Sequence, residues 1–369
     1  MHLIDPGTAG EHVRRAATLL QSALGASPMA AGRASGRVNL IGEHTDYNQG
    51  LCLPLALPHA TYAVVAPRGD DQVRAVSTLA PGTYAGDPAT AGGWAAYSAG
   101  VVWALREEGL DIPGIDMAIA SSVPVGAGLS SSAALSCSVA MAIAALVGPI
   151  DPEVMLRATM RAEHERAGAP TGGMDQTVAL FATPGEALLL DFADGSRTPV
   201  TWAPPGLALL VIDTCAPHDL ADGQYAARRA GCESAAAALG AASLRQVDEP
   251  ALAGAAEAWL PLARHVVTEN RRVEEFAQAV AAGEWPEVGA LMTSSHESLR
   301  DDFAVSCDQL DVAVQVALDT GALGARMTGG GFGGSAIALL PEDRVQPAMA
   351  AVASAYAGRH WREPRFLRA

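Results

Sequence analysis

The segment Gly36-Arg37-Val38-Asn39-Leu40-Ile41-Gly42-Glu43-His44-Thr45-Asp46-Tyr47 brings a guanidinium, two carboxylates, an imidazole, an amide and a phenol into one short stretch. Glu43-His44-x-Asp46 packs acceptors and a donor into a loop after an apolar strand. A vicinal polyol suits that mixture, because each hydroxyl both donates and accepts. Histidine and carboxylates this close can also ligate zinc. The absence of an H-E-x-x-H pattern and the turn-like Tyr47-Asn48-Gln49-Gly50 favour the polyol over the metal. A polar turn that satisfies its own backbone is the plainer alternative.

A second motif, Pro124-Val125-Gly126-Ala127-Gly128-Leu129-Ser130-Ser131-Ser132-Ala133-Ala134, lies between an expected strand and an expected helix. Its glycines allow close backbone approach to a ligand, and a helix N-terminus offers free N–H groups with the positive end of a dipole. The hydroxyls of Ser130, Ser131 and Ser132 add hydrogen bonds and a hard oxygen for Mg²⁺. Gly126-x-Gly128 also begins like a dinucleotide fingerprint, but that pattern needs a second strand ending in an acidic residue about 20 positions on, where this sequence reads as helix. Without a ligand, the motif is simply a Gly/Ser-rich helix start. A third motif, Arg326-Met327-Thr328-Gly329-Gly330-Gly331-Phe332-Gly333-Gly334-Ser335, is expected between a helix and a strand, either as a tight turn against another domain or as a loop completing the second motif's site. In Thr171-Gly172-Gly173-Met174-Asp175-Gln176, Asp175 reads first as a helix N-cap. As a catalytic carboxylate it would be held ionised by an arginine, and Arg37 is the candidate.

Composition narrows the chemistry further. The 24 basic residues are all arginine. A Walker-type loop, a protein kinase and a pyridoxal-phosphate enzyme each require a lysine, so all three are excluded. A net charge of −16 opposes nucleic acid and anionic membrane surfaces as partners, while leaving local nucleotide binding open. Five dispersed cysteines without a C-x-x-C pair, and a start lacking a basic segment followed by an apolar run, point to a reducing cytoplasm.

The elements that must position these groups mix without regular βαβ alternation, which predicts an α+β fold. Helices are expected at about 9–26, 92–108, 133–147, 152–168, 175–181, 222–239, 251–258, 262–282, 284–298, 308–321 and 343–356. Strands are expected near 38–41, 61–67, 73–77, 116–121, 187–191, 207–213 and 335–340. Thr198–Gly206, with three prolines and no periodicity, is taken as the boundary between domains 1–200 and 201–369.

Together the three motifs resemble the GHMP kinase superfamily, and the first resembles the galactokinases within it almost letter for letter. The resemblance runs from about residue 33 to 340, with the motifs in the family's order. It implies a two-domain fold, ribosomal-protein-S5-like at the N-terminus and ferredoxin-like at the C-terminus. It further implies ATP- and Mg²⁺-dependent phosphorylation of the C1 hydroxyl of D-galactose, the entry step of Leloir metabolism. On that basis Asp175 and Arg37 would be catalytic, and Arg37, Glu43, His44, Asp46, Gly172, Asp175 and Tyr225 would surround the sugar. Residues Gly126, Ala127, Gly128, Leu129, Ser130, Ser131 and Ser132 would cradle the ATP phosphates, and Ser132 with Glu163 would hold Mg²⁺. The expected partners are the sugar and ATP, with no nucleic acid or membrane, in a monomer or weak homo-oligomer. The sequence departs from the family at Ser35, where a proline is usual, at Gly173, and before His218, which lacks a common arginine. Those changes bear on local loop shape. A kinase for a 2-amino or 2-deoxy galactose would keep all three motifs, and intact Ser132, Arg37 and Asp175 argue against an inactive sugar sensor.

Overall fold

The computed structural model describes residues 2–169, 172–183, 185–216 and 221–369; Thr171, Pro217 and His218 lie outside the described residues. The chain runs α1 (Ala9–Leu24), β1 (Ala30–Asn39), β2 (Leu51–Cys52), β3 (Pro54–Arg68), β4 (Val73–Ser77), β5 (Thr83–Gly86), α2 (Ala99–Glu107), β6 (Gly114–Ser121) and α3 (Ser131–Val147). It continues through α4 (Pro152–Arg161), α5 (Met174–Phe181), β7 (Glu186–Asp191), β8 (Ser196–Thr201), β9 (Leu207–Asp213), α6 (Ala221–Ala238), α7 (Leu260–Ala282) and α8 (Trp285–Asp301). The last elements are α9 (Asp308–Asp319), β10 (Gly324–Thr328), β11 (Ser335–Pro341), α10 (Val345–Ala357) and β12 (Arg365–Arg368). No helix among the described residues is long and apolar enough to cross a membrane.

Strands β1–β8 form one sheet, ordered β2-β7-β3-β6-β4-β5, with β1 on β3 and β8 on β7. Within it β4 and β6 run parallel, and the other pairs are antiparallel. Strands β10-β11-β9-β12 form a second, antiparallel sheet. The fold is α+β, as the mixed elements predict.

The apolar run of β9 explains how the two sheets meet. Successive strand residues point to opposite faces. Ala208, Leu210 and Ile212 therefore enter a core shared with α9 and α10, while Leu209 and Val211 enter another with Val38, Leu40 and Ile41 of the N-terminal sugar-type motif. Helix α7 spans both cores, with Val266 in the first and Val273 and Phe276 in the second. The N-terminal segment adds a tie, as Leu3 bridges Phe366 of β12.

Several elements differ from expectation. Ser196–Thr201 is a strand, although Thr198–Gly206 reads as boundary loop; it pairs only with β7, and an edge position tolerates Pro199. The expected helix at 251–258 is a 3₁₀ turn, Pro250–Gly254. The third Gly-rich motif connects two strands, β10 and β11, and not a helix and a strand. Strands β2, β5 and β12 are also absent from the sequence reading; they are two to four residues long, too short for period-2 alternation to register.

Close backbone packing sets the position of β10. A Cβ on Gly289 of α8 would stand 2.3 Å from the Leu323 carbonyl, and one on Gly324 would stand 1.9 Å from the Gly289 carbonyl. Alanine is intrinsically better than glycine in a helix by about 1 kcal/mol, yet here overpacking should cost about 1–3 kcal/mol. Gly289→Ala is thus expected to lower the thermal midpoint, against its helix propensity, as measured by circular dichroism melting.

Candidate active site

Arg37 reaches the site because the β1–β3 register shifts between Ser35 and Arg37. At that irregularity Gly36 passes so close to the second motif that a Cβ would stand 2.8 Å from the Leu129 carbonyl, and Arg37 N–H donates to the same carbonyl at 3.2 Å. The Arg37 guanidinium then makes two kinds of contact. Its Nε and Nη2 lie 2.9 and 2.7 Å from Asp175 Oδ1, and its Nη1 donates to the Gly128 carbonyl at 2.7 Å. Asp175 is not the N-cap: Gly173, at φ 96°, takes that place, and Asp175 lies in the first turn of α5 with its carboxylate committed to Arg37.

The loop part of the second motif ends at Ser130, at φ 60°, which caps α3 without a side-chain hydrogen bond. The first-turn N–H groups of α3 are therefore free of a competing capping side chain and available to an anion. Arg37, Glu43, His44, Asp46, Gly126, Gly128, Leu129, Ser130, Ser131, Ser132, Gly172, Asp175 and Tyr225 all line one cleft of about 290 Å³. Gly173, Met174, Gly329 and Gly330 complete its wall.

Two expected residues stand elsewhere. The Ala127 side chain is fully buried in the shared core, and its carbonyl accepts from Ser335 Oγ at 2.7 Å, so its side chain faces away from the cleft. Glu163 stands behind the wall on a π-helical turn at Ala162–Arg166, where Ser132 Oγ donates to it at 3.1 Å and Gln176 Nε2 also donates. A serine hydroxyl touching a carboxylate beside the phosphate-type loop is a hard-oxygen pair that fits Mg²⁺, which needs only one or two protein ligands when phosphates supply others.

The polar cluster is organised from both sheets. Glu43 is buried and accepts Gly329 N–H at 2.7 Å and Thr328 Oγ1 at 3.1 Å, joining the first motif to the third. His44 Nδ1 pairs with the Tyr47 hydroxyl at 2.9 Å, and the His44 ring packs against Tyr225 and Phe303. Burial lowers the His44 pKa to about 3, so the ring is neutral. Asp46 fills the space beside Gly172, where a Cβ would lie 1.9 Å from Asp46 Oδ2. Burial, reinforced by the Asp175 and Glu43 carboxylates, pushes Asp46 up to about 6 against the pull of the Tyr47 backbone N–H. The functional reading of the sequence lacked Glu269 and His265 and gave no role to Arg326, the first residue of the third motif; all three surround this cluster from behind. For His265 and Glu269 the i, i+4 spacing on α7 was the one signal, and it does not stand out among other helical charges.

Three family descriptions match the chain: the GHMP kinases N terminal domain over residues 96–183, the galactokinase galactose-binding signature over 19–67, and the GHMP kinases C terminal over 276–358. The galactokinase of Mycobacterium tuberculosis is 46% identical over 346 residues, covering 91% of this chain and 95% of its own. That of Streptomyces coelicolor is 44% identical over 385 residues, covering 98% and 96%. The crystal structure of Lactococcus lactis galactokinase complexed with galactose superposes at a TM-score of 0.90 with 28% identity, covering 95% of this chain and 96% of that one. Methanococcus jannaschii mevalonate kinase shares the fold alone, at a TM-score of 0.65 and 15% identity. Fold and cleft thus define a small-molecule kinase of the GHMP class. Within that class, the chain belongs to the galactokinase family.

The Asp46 shift has a consequence for stability. A carboxyl that titrates near 6 when folded and near 3.8 when unfolded disfavours the folded state fully above pH 6, and that cost is lost progressively as the pH falls from about 6 to about 3.8. Asp46→Asn should therefore raise the thermal midpoint at pH 8 and lose most of that advantage at pH 4, which melting curves at the two pH values will measure.

Proposed function

We infer that this chain transfers the γ-phosphoryl group of ATP to the C1 hydroxyl of D-galactose, giving galactose 1-phosphate and ADP. The observation that carries this reading is the position of Arg37, whose guanidinium contacts both the Asp175 carboxylate and the carbonyl of Gly128 in the phosphate-type loop. A sugar seated among His44, Asp46, Gly172 and Tyr225 would lie on one side of that pair, and the phosphates at Gly126–Ser132 on the other. The relative solved with galactose supports the choice of sugar.

Phosphoryl transfer proceeds through a loose transition state, so positioning and charge neutralisation supply most of the acceleration. In this reading Asp175 accepts the hydrogen bond of the C1 hydroxyl and orients its oxygen toward the γ-phosphorus. Arg37 holds the Asp175 side chain in place through their contact and would face the transferring group. The free N–H groups at the start of α3 stabilise phosphate charge without a lysine. Glu43 fixes the sugar loop to the Gly329–Gly330 wall, and neutral His44, tied to Tyr47, presents an uncharged ring to the polyol. Ser132 and Glu163 would hold Mg²⁺, which when bound neutralises charge on the β- and γ-phosphates. The five cysteines are free thiols, and we place the enzyme in the cytoplasm, where thiols stay reduced.

Asp175→Asn is expected to leave galactose binding within a few-fold while lowering kcat by about 10²–10⁴, the usual range for a group that handles a proton in the transition state. Calorimetry and a coupled ADP-release assay read the two quantities separately, and near-normal turnover would overturn the assignment. The same assay with galactose, glucose, N-acetylgalactosamine, 2-deoxygalactose and mevalonate tests the substrate, with galactose expected to give the highest kcat/KM. Gly172→Ala should displace the Asp46 carboxylate and raise the galactose KM by about tenfold or more, with the ATP KM unchanged.

A further inference from the structure

Helix α7 lies against the back of the 42–51 loop, which carries the sugar-type cluster. His265, Glu269, Asn270 and Val273 recur at i, i+4, i+5 and i+8, one face of an α-helix, and each meets that loop. His265 Nε2 donates to the Glu43 carbonyl at 3.1 Å. Glu269 Oε1 accepts Gly42 N–H at 3.0 Å, and Asn270 Oδ1 accepts Leu51 N–H at 2.8 Å. Val273 fills the surface where a Cβ on Gly42 would intrude, at 2.9 Å. Gly42 itself sits at φ 95°, folded so tightly that the same Cβ would be 2.5 Å from the Leu51 carbonyl. The loop therefore closes on itself and is gripped at both ends from the C-terminal half of the chain.

Glu269 is the centre of this grip. It is fully buried, and it accepts Ser295 Oγ at 2.5 Å and Arg272 Nε at 2.7 Å besides the Gly42 N–H. Arg326 stands 3.8 Å from Glu269 on one side and 3.8 Å from Glu43 on the other. The charges alternate as Glu43, Arg326, Glu269 and Arg272, all buried. A shift of Glu269 would thus act on the loop through the Gly42 N–H and on Glu43 through Arg326.

We propose that Glu269 is a positioning residue for the sugar half of the site, setting carbohydrate affinity from the C-terminal half without touching substrate. The idea deepens the sugar-kinase reading and rests on it. No side chain of α7 lines the cleft itself, so the effect must pass through the loop backbone and Glu43.

The test is Glu269→Gln in the full chain, which keeps the shape and removes the charge. The expected result is a galactose KM raised about tenfold or more, kcat within threefold, and an ATP KM within twofold. Hydrogen exchange should accelerate in the peptide covering 40–52 and stay unchanged in the phosphate loop, 124–132. An unchanged galactose KM, or equal losses for galactose and ATP, would overturn the proposal. If Glu269→Gln does not fold, Ser295→Ala removes a single donor to the same carboxylate and should raise the galactose KM by about fivefold, with the same selective exchange. No change in either readout for Ser295→Ala counts against the proposal. Because the exchange measurement needs no substrate, a wild-type enzyme that prefers another sugar would unseat the galactose reading while leaving the loop result to stand or fall alone.

Discussion

Arg37 commits one guanidinium to two protein partners, the Asp175 carboxylate and the Gly128 carbonyl, and much of the molecule is arranged to allow it. The register shift in β1 brings its backbone against the phosphate-type loop. The left-handed Gly173 turns the chain so that Asp175 enters the first turn of α5 facing back toward β1. Residues 138 positions apart in sequence thus meet in a fixed geometry before any ligand arrives. Preorganised charge is effective in such a site because no reorganisation is needed when the phosphoryl group moves.

The same geometry distributes the site across both sheets. Glu43 from the first sheet holds Gly329 of the second, and β9 sends alternate side chains into two cores, one of them shared with the strand leading to Glu43. A cleft between two packed sheets is a usual place for a small-molecule site. The buried charges around it are expensive to desolvate, and they persist because each has a partner or a hydrogen bond. Asp46 is the least compensated of them: its raised pKa marks a carboxylate that destabilises the empty protein and is available to a hydroxyl ligand.

The cleft was largely legible in the sequence because its residues lie in short contiguous motifs with unusual composition. Glycine runs, a serine triplet and a dense polar cluster cannot be explained by core packing alone, so they announce a ligand. Ala127 was legible only as a member of its motif, since nothing in the sequence shows that its side chain joins the buried apolar core instead of the cleft. Glu269 was not legible as a functional residue, because a charged residue on an expected helix reads as solvated until tertiary contacts bury it, and Arg326, though it opens the third motif, gave no sign in the sequence of the two carboxylates it meets. Strand β8 was hidden for a related reason: Pro199 and its exposed polar residues signal loop, and only its edge position makes them compatible with pairing.

Every side-chain cation in these 369 residues is a guanidinium. Arginine's planar fork suits Arg37, whose Nε and Nη2 meet one Asp175 oxygen while Nη1 reaches the Gly128 carbonyl, and it stays charged where a buried ammonium would lose its proton. A second outcome follows for an enzyme that handles a reducing sugar. Open-chain aldoses condense with lysine amines and, over time, glycate and cross-link proteins. This chain offers its own substrate no ε-amine, so prolonged exposure to high sugar leaves its side-chain charges, and the ion pairs built from them, without that route of chemical ageing.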